Sequence, residues 1–375
     1  MTDLSHRSAE GAEAEADVRW MRRALEHARR GLGRTTPNPV VGACVVSDDG
    51  VVVGQGAHER AGEPHAEVHA LEEAGDAARG ATLYCTLEPC VHLGRTGPCT
   101  ERIIAAGIRR VVAAMEDPFP QVHGRGFAVL RAHGITVEVG LCADEAARLN
   151  QPFLTTVRGG RPFVIVKAAT SLDGQIAAGV GHRTPLTSAL ALRHAQYQRA
   201  CVDAIAVGSE TVLVDDPLLT AREVFRERPL VRVVFDRRLR VPADARLLST
   251  LRNGPVIILT SEATLRDRPE RADALERGGA TVIAAGNGAI EDSLKALAAR
   301  DVQSLLVEGG AQLHAALWDA GVVDYVQVYV TPVWLGSGGV PVFGGQGPST
   351  ATLLERQVAL LGPDVLIEGY VHRPH

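Results

Sequence analysis

The chain reads Pro64-His65-Ala66-Glu67, then Pro89-Cys90, and then Pro98-Cys99. One imidazole and two thiols in this order supply the three protein ligands of a catalytic zinc, which keeps its fourth position for water. A glutamate two residues after the histidine, followed later by Glu-Pro-Cys, is the pattern of zinc-dependent deaminases. The three stretches therefore predict a domain that hydrolytically removes an amino group from a nitrogen heterocycle.

Glu67 is predicted to be the proton carrier of this site. Zinc lowers the pKa of bound water from about 15.7 towards 7, and a carboxylate that is not a ligand can then move protons to the ring nitrogen and the leaving amine. Cys99 opens a predicted helix, whose dipole stabilises a thiolate. A structural zinc site is the alternative, and His92 is the residue that would complete it as a fourth ligand.

The spacing of the two cysteines departs from the usual Pro-Cys-x-x-Cys. Eight residues separate Cys90 from Cys99, and Arg95 is among them. A loop of this length predicts contact with a part of the substrate remote from the reacting carbon. The guanidinium of Arg95 suits a sugar phosphate.

Length and composition limit the class of protein. A chain of 375 residues exceeds one compact core, which predicts two domains. A net charge of −5 argues against a nucleic-acid partner, because tight binding to a polyanion needs a basic face. No apolar run is long enough for a membrane span or a signal core, and six cysteines are too few for a disulfide scaffold. We expect a cytoplasmic protein that binds neither nucleic acid nor membrane.

Composition and periodicity predict four segments: a disordered leader over 1–17, a deaminase domain over 18–150, a linker over 151–161 and a second domain over 162–375. The leader is rich in Ala, Glu and Ser, and the linker contains Pro152, Gly159 and Gly160. In the first domain, alternating strand and helix patterns predict helices on the faces of a sheet. Similar alternation predicts a mostly parallel α/β second domain, with strands at Phe163–Ala168, Ala204–Val207, Val231–Phe235, Val256–Leu259, Thr281–Ala284, Ser304–Val307 and Tyr325–Val330.

Longer motifs carry a resemblance to a known family. Thr86-Leu87-Glu88-Pro89-Cys90 and Gly94-Arg95-Thr96-Gly97-Pro98-Cys99, preceded by Pro37-Asn38-Pro39, closely resemble the bifunctional riboflavin-biosynthesis deaminase/reductases. The resemblance continues at Lys167-Ala168-Ala169-Thr170 and at Val307-Glu308-Gly309-Gly310. It implies a cytidine-deaminase-like three-layer domain followed by a dihydrofolate-reductase-like α/β domain.

The same resemblance implies two reactions, with Zn²⁺ and NADPH as cofactors. The first hydrolyses the 2-amino group of 2,5-diamino-6-ribosylamino-pyrimidinone 5'-phosphate. The second reduces the ribosyl group of 5-amino-6-(5-phosphoribosylamino)uracil to a ribityl chain. The expected partner is therefore a small molecule, a pyrimidine ribosyl phosphate.

Site residues follow from the resemblance by position. In the deaminase half, zinc is held by His65, Cys90 and Cys99, Glu67 carries protons, and the base and ribose phosphate contact Asn38, His58 and Arg95. In the reductase half, the resemblance places Ala169, Thr211, Asp215 and Gly310 at the cofactor, and Arg199, Leu219, Arg222 and Glu308 at the substrate. Independently, a Gly309-Gly310 turn between a strand and a helix suits a pyrophosphate.

The reductase half departs from its family at two places. Arg183-Thr184-Pro185 stands where the family usually has Ser-x-Trp, and Arg237 stands where a small hydroxyl residue is common. Arg183 or Arg237 is predicted to meet the 2'-phosphate of NADPH. Three other functions remain open: a deaminase of another nucleobase with a degenerate reductase, a nucleic-acid deaminase, and a zinc-stabilised nucleotide-binding module. A homo-oligomer is expected, with 326–335 either at a subunit contact or buried within the monomer.

Overall fold

The computed structural model describes residues 2–91, 97–344 and 352–372, without the side chains of residues 2–10 and 12. The chain divides into two compact units. The first unit ends at Arg158, and the second begins at Gly159.

Short strands and helices alternate through the first unit. Its strands are β1 Gly42–Val46, β2 Val52–Ala57, β3 Thr82–Cys85, β4 Arg110–Ala113 and β5 Thr136–Val139. Its α-helices are α1 Thr2–Ala28, α2 Ala66–Ala74, α3 Cys99–Ala106, α4 Arg125–Ala132, α5 Ala143–Leu149 and α6 Gln151–Gly159, and its 3-10 helices are Arg29–Gly31 and Gly75–Ala78.

The first unit has three layers, with a five-stranded sheet between helices. The strand order is β2-β1-β3-β4-β5, antiparallel around β1 and parallel from β3 to β5. Successive side chains of a strand point to opposite faces. Cys44 and Val46 thus pack under α1 with Met21, while Ala43 and Val45 pack against the helices of the other face.

Two glycines set the distance between β2 and α2. A Cβ at Gly54 would run into the carbonyl oxygen of Ala70, and one at Gly56 into that of Ala66. Only glycine permits this close backbone approach. The contact fixes the first turn of α2, which carries Glu67.

Two predictions for the first unit were wrong. The expected disordered leader over 1–17 is helical, since α1 begins at Thr2 instead of Val18. Ala and Glu are strong helix formers, so a segment poor in large apolar groups can still be helical. Most of the expected linker over 151–161 is helix α6, which buries Phe153 and Leu154. A proline is tolerated in the first turn of a helix, and Pro152 therefore does not prevent α6.

The second unit is built on a nine-stranded sheet. The strands of the second unit, in both of its sheets, are β6 Phe163–Thr170, β7 Gln175–Ala177, β8 Ala204–Gly208, β9 Val231–Phe235, β10 Val256–Thr260, β11 Ala280–Ala284, β12 Ser304–Val307, β13 Tyr325–Val330, β14 Val340–Pro341, β15 Leu354–Leu361 and β16 Asp364–Tyr370. Its α-helices are α7 Ala189–Cys201, α8 Ser209–Asp215, α9 Glu262–Asp267, α10 Pro269–Arg277, α11 Ile290–Ala298 and α12 Ala311–Asp319, with a 3-10 segment at Arg246–Asn253.

The large sheet has the order β11-β10-β9-β8-β12-β6-β13-β16-β15. In this order, all strands from β11 at the edge through β13 run parallel, as predicted. Strands β16 and β15 add an antiparallel edge. A small second sheet pairs β14 with β7. The expected architecture, a three-layer α/β domain followed by a second α/β domain, is confirmed.

Strand β13 lies inside the large sheet, between β6 and β16. Val326 and Tyr329 are buried there, which favours the monomer-core alternative for 326–330. Trp334, just beyond the strand, is 73% exposed. Among the described residues, no helix combines the length and apolar character that crossing a membrane requires.

Candidate active sites

His65, Cys90 and Cys99 converge in the first unit, and their ligand atoms all lie within 4.8 Å of one another. His65 is the N-cap of α2, Cys99 is the first residue of α3, and Cys90 lies in the irregular segment after β3. His65 Nδ1 is 3.3 Å from Cys99 Sγ and 3.5 Å from Cys90 Sγ. Both helix N-termini bring positive dipole ends to the thiols.

These distances fit a tetrahedral zinc. Zn–N and Zn–S bonds of about 2.1 and 2.3 Å place tetrahedral ligands roughly 3.5 Å apart. Within the described ranges, the cluster contains only these three ligand residues. His92, the residue named for a closed four-ligand site, and Arg95 both lie outside the described residues.

The ligands perturb one another electrostatically. The hydrogen bond with Cys99 lowers the pKa of Cys90, with a further contribution from His65. The hydrogen bond with Cys90 raises the pKa of His65 to about 9. The hydrogen bond between Cys99 and Cys90, together with burial, raises the pKa of Cys99. Because zinc binds thiolates and neutral imidazole, metal uptake at this site must release protons.

Glu67 lies beside the cluster in the first turn of α2. Its side chain is buried, and its Oε2 atom has no hydrogen-bond partner among the described residues. Burial raises the pKa of this carboxyl group, although the charge of His65 opposes the shift. A buried carboxyl group with a raised pKa and a free oxygen is suited to accepting and returning a proton.

His58 and Asn38 form a pair next to His65. The Asn38 Nδ2 and His58 Nε2 atoms are 3.0 Å apart, and His58 Nδ1 is 3.2 Å from the Pro64 carbonyl oxygen. Donation from Nδ1 to Pro64 leaves Nε2 as the acceptor for the Asn38 amide. The His58 ring is buried and packs edge-on against His65, while Asn38 is half-buried.

A cleft of about 940 Å³ opens in the second unit, where several parallel strands end. Ligands of open α/β sheets bind at the carboxyl ends of the strands. The cleft is lined by all four predicted cofactor residues, Ala169, Thr211, Asp215 and Gly310, and by Glu308. Gly310 has a φ of +89°, which favours glycine, and it precedes α12. This turn and the helix N-terminus fit a dinucleotide pyrophosphate.

Three of the predicted substrate residues form one cluster, which Glu308 connects to this cleft. Arg199 makes two hydrogen bonds to the Glu308 carboxylate, of 2.6 and 2.7 Å, and donates a third to the Thr220 carbonyl oxygen. Burial raises the pKa of Glu308, but neighbouring positive charges lower it below its usual value. Arg199 contributes most to this lowering, and Arg222 is near enough to contribute as well. Leu219 differs, because its side chain is buried in the apolar core and only its backbone is available to a ligand.

The sequence analysis missed two residues that line the same cleft. Burial lowers the pKa of Lys167, although Glu308 opposes the shift. Burial also lowers the pKa of His314 to about 4. Neither ring nitrogen of His314 has a hydrogen-bond partner of ordinary geometry among the described residues. A lysine inside the apolar strand β6 and a histidine inside the apolar helix α12 were the available signals.

The fold and the two sites define a zinc-dependent deaminase joined to a nicotinamide-dependent reductase. Two family models match the chain: the "Cytidine and deoxycytidylate deaminase zinc-binding region" over residues 14–115, and the "RibD C-terminal domain" over 162–367. Riboflavin biosynthesis protein RibD of Aquifex aeolicus is 42% identical over 324 residues, covering 86% of this chain and 89% of that protein. RibD of Escherichia coli is 42% identical over 335 residues, with coverages of 86% and 89%.

Solved structures give the same result. RibD of Acinetobacter baumannii superposes with a TM-score of 0.85 at 36% identity, covering 96% of this chain and 99% of that one. The deaminase/reductase of Thermotoga maritima superposes with a TM-score of 0.83 at 36% identity, with coverages of 95% and 99%. The chain belongs to the RibD family. It is a bifunctional enzyme of riboflavin biosynthesis, with a zinc-binding deaminase domain and an NADPH-dependent reductase domain.

Proposed function

We propose that the first unit deaminates 2,5-diamino-6-ribosylamino-pyrimidinone 5'-phosphate, and that the second unit reduces the product. The Thermotoga maritima relative is described as a diaminohydroxyphosphoribosylaminopyrimidine deaminase and 5-amino-6-(5-phosphoribosylamino)uracil reductase. The observation that carries the proposal is the convergence of His65, Cys90 and Cys99 beside the buried Glu67, one of whose oxygens has no partner among the residues that the structure describes.

In the deaminase, His65, Cys90 and Cys99 would hold zinc, which supplies an acidified water molecule when bound. Glu67 Oε2 accepts a proton from the attacking water and delivers it to the ring nitrogen. The same oxygen then takes the remaining proton from the hydroxyl group added to the carbon and gives it to the amino group. The C–N bond breaks as the carbonyl forms, so that water and the amino compound become the carbonyl compound and ammonia. Asn38, held by His58, contacts the base, and Arg95 contacts the ribose phosphate.

In the reductase, NADPH supplies the hydride to C1' of the ring-opened ribosyl group. Gly310 and Thr211 line the cleft where the pyrophosphate would lie, with Ala169 and Asp215 as further cofactor contacts. Arg199 and Arg222 suit the ribose phosphate, Glu308 is a further substrate contact, and Leu219 contributes its backbone. A bidentate arginine on a carboxylate is rigid enough to position a substrate.

We assign to Arg237 the recognition of the 2'-phosphate, the group that distinguishes NADPH from NADH. This residue follows β9 at the edge of the cleft, and its side chain passes close to Gly288. The nearby Arg240 is occupied by Glu210 and Ser209, each at 2.9 Å. Arg183 is close enough to Asp215 for its charge to oppose the effect of burial on the pKa of that carboxyl group. Arg237 is thus the better placed of the two candidates for the 2'-phosphate.

We also propose that the protein acts in the cytoplasm as a homo-oligomer, without nucleic-acid or membrane partners. Reduced thiols at the zinc site suit a reducing compartment. The edge strand β15 leaves Val358 and Leu360 exposed, by 66% and 78%, which supports a contact between copies. The boundary between the two domains is placed between residues 150 and 162, and the matched regions of the two family models, 14–115 and 162–367, lie on either side of it.

Glu67→Gln is the variant that tests the deaminase assignment. The amide keeps the size of the side chain but cannot accept a proton, so ammonia release should fall by at least about 10²-fold. Zinc should stay at about one ion per chain, because Glu67 is not a ligand. Ammonia release and metal content are measured on the same preparation.

The second unit provides the control for this variant. Reduction of the separately prepared deaminated nucleotide, followed by NADPH absorbance, should proceed at the wild-type rate. Wild-type ammonia release from the Glu67→Gln protein would reject the mechanism.

A further inference from the structure

We propose that Glu88 is a positioning residue of the zinc site, which fixes the backbone of Cys90 by binding the first turn of α4. This inference rests on the zinc-ligand roles proposed above for His65, Cys90 and Cys99. It adds a residue that does not touch the metal and belongs to no ligand set assigned so far.

Cys90 needs such an anchor, because it lies in a segment with no repeating hydrogen bonds. Strand β3 ends at Cys85, and no regular structure returns within the described residues until α3 begins at Cys99. On its C-terminal side, the Cys90 carbonyl oxygen accepts hydrogen bonds from the backbone N–H and the hydroxyl of Thr100, both at 3.3 Å. The N-terminal side requires a second fixed point.

Glu88 supplies that point from two residues upstream. Its Oε1 accepts hydrogen bonds from the backbone N–H groups of Gly126, at 2.8 Å, and Phe127, at 3.4 Å. Its Oε2 accepts from those of Gly124, at 2.9 Å, and Asp117, at 3.2 Å. Glu88 therefore joins the segment that carries Cys90 to the N-terminus of α4 and to the loop after β4.

The donor set explains why this residue is a carboxylate. Glu88 is only 3% exposed, and the four hydrogen bonds it accepts from the described residues all come from backbone N–H groups. A carboxylate accepts at both oxygens, and the positive end of a helix favours its charge. An amide would turn an NH₂ group towards N–H donors and leave buried groups unsatisfied.

A steric contact reinforces the same link. A Cβ at Gly126 would collide with the carbonyl oxygen of Pro89, the residue between Glu88 and Cys90. The first turn of α4 therefore touches the Cys90 segment at two consecutive residues, once by hydrogen bonds and once by backbone packing. Glu88 is not a second proton carrier, because both of its oxygens are engaged.

Glu88→Gln tests this role through metal affinity rather than through activity. Loss of a group that orients a ligand typically costs about 10–100-fold in metal affinity. We expect that loss for Zn²⁺, measured by competition with a chelator. We also expect a changed absorption spectrum when Co²⁺ is bound in place of zinc, because the cobalt bands report the thiolate geometry.

Asp17→Asn is the matched control. Asp17 is also a buried carboxylate of the first unit, but it pairs with Arg110 and Tyr84 on the α1 side of the sheet. Its variant should lower the stability of the unit while leaving Zn²⁺ affinity within about twofold and the Co²⁺ spectrum unchanged. NADPH binding by the second unit reports that each variant chain is folded there.

Three results would overturn the proposal. The first is a Glu88→Gln protein with wild-type Zn²⁺ affinity and Co²⁺ spectrum, and the second is an equal loss of affinity in Asp17→Asn. If Glu88→Gln leaves the first unit unfolded, the variant Gly126→Ala takes its place, because the added Cβ displaces Pro89 while the Glu88 carboxylate remains. Wild-type metal affinity in Gly126→Ala would be the third result. A wild-type chain that binds no zinc would reject the zinc-ligand roles themselves. That result differs from a failure of the Glu88 proposal, in which the wild-type chain still binds zinc.

Discussion

Glu67 and Glu88 are both buried in the first unit, yet their surroundings give them opposite properties. Glu67 keeps one oxygen without a partner in the described part of the chain, and burial raises its pKa, whereas Glu88 has both oxygens hydrogen-bonded to backbone N–H groups. The first arrangement suits a group that exchanges protons, and the second suits an anchor. The same residue type thus serves chemistry or geometry according to the donors around it.

Arg237→Ala should weaken NADPH binding about tenfold and leave NADH binding within about twofold, because a charge-assisted contact to phosphate is worth about 1.4 kcal/mol at an exposed site. The measurement is a calorimetric titration with both dinucleotides and with 2',5'-ADP. Arg183→Ala is the comparison, since that arginine also lines the cleft. A larger loss of 2',5'-ADP binding in Arg183→Ala would transfer the role to Arg183.

At the scale of elements, the predicted strands of the parallel sheet are confirmed, and α3 begins at Cys99 as predicted. Their signals are local: β-branched runs for the strands and a proline before the helix. The hairpin β15–β16 was missed, because most of β15 is exposed and its first half is charged and polar. Its signal was the Gly362-Pro363 turn between two strands.

The attachment of α1 to the sheet should depend on Arg110. This side chain, 15% exposed, binds Asp17 of α1 and Glu138 of β5. Arg110→Met leaves Asp17 without its charge partner and should cost about 3 kcal/mol of the free energy of unfolding of the first unit. Urea unfolding followed by residual deaminase activity measures the change.

Arg109→Met is the control for that substitution. Arg109 is the neighbouring residue, and its ion pair with Asp48 is exposed by 62% and 70%. An exposed pair contributes only about 0–1 kcal/mol. Equal destabilisation by the two variants would contradict the assigned role of Arg110.

At the scale of the whole molecule, each unit has its own apolar core. Clusters around Leu83 and Met21 lie in the first unit, and clusters around Val164 and Ile205 lie in the second. Separate cores allow the two activities to be lost separately.

Removal of zinc by a strong chelator should therefore abolish ammonia release and leave the reduction of the deaminated nucleotide within about twofold of the untreated rate. Ammonia release should return when Zn²⁺ is added back. Loss of NADPH oxidation in the chelated protein would show that the reductase also needs the metal.

The sequence alone was enough to identify the family and to predict the zinc ligands and the proton carrier, because these depend on residue types at short spacings. Tertiary structure alone decided the contacts between distant segments. Arg199 meets Glu308 across 109 positions, and Glu88 meets the first turn of α4 across 38. Such pairs form only when the fold brings separate elements together, and no local pattern encodes which buried carboxylate will face which donors.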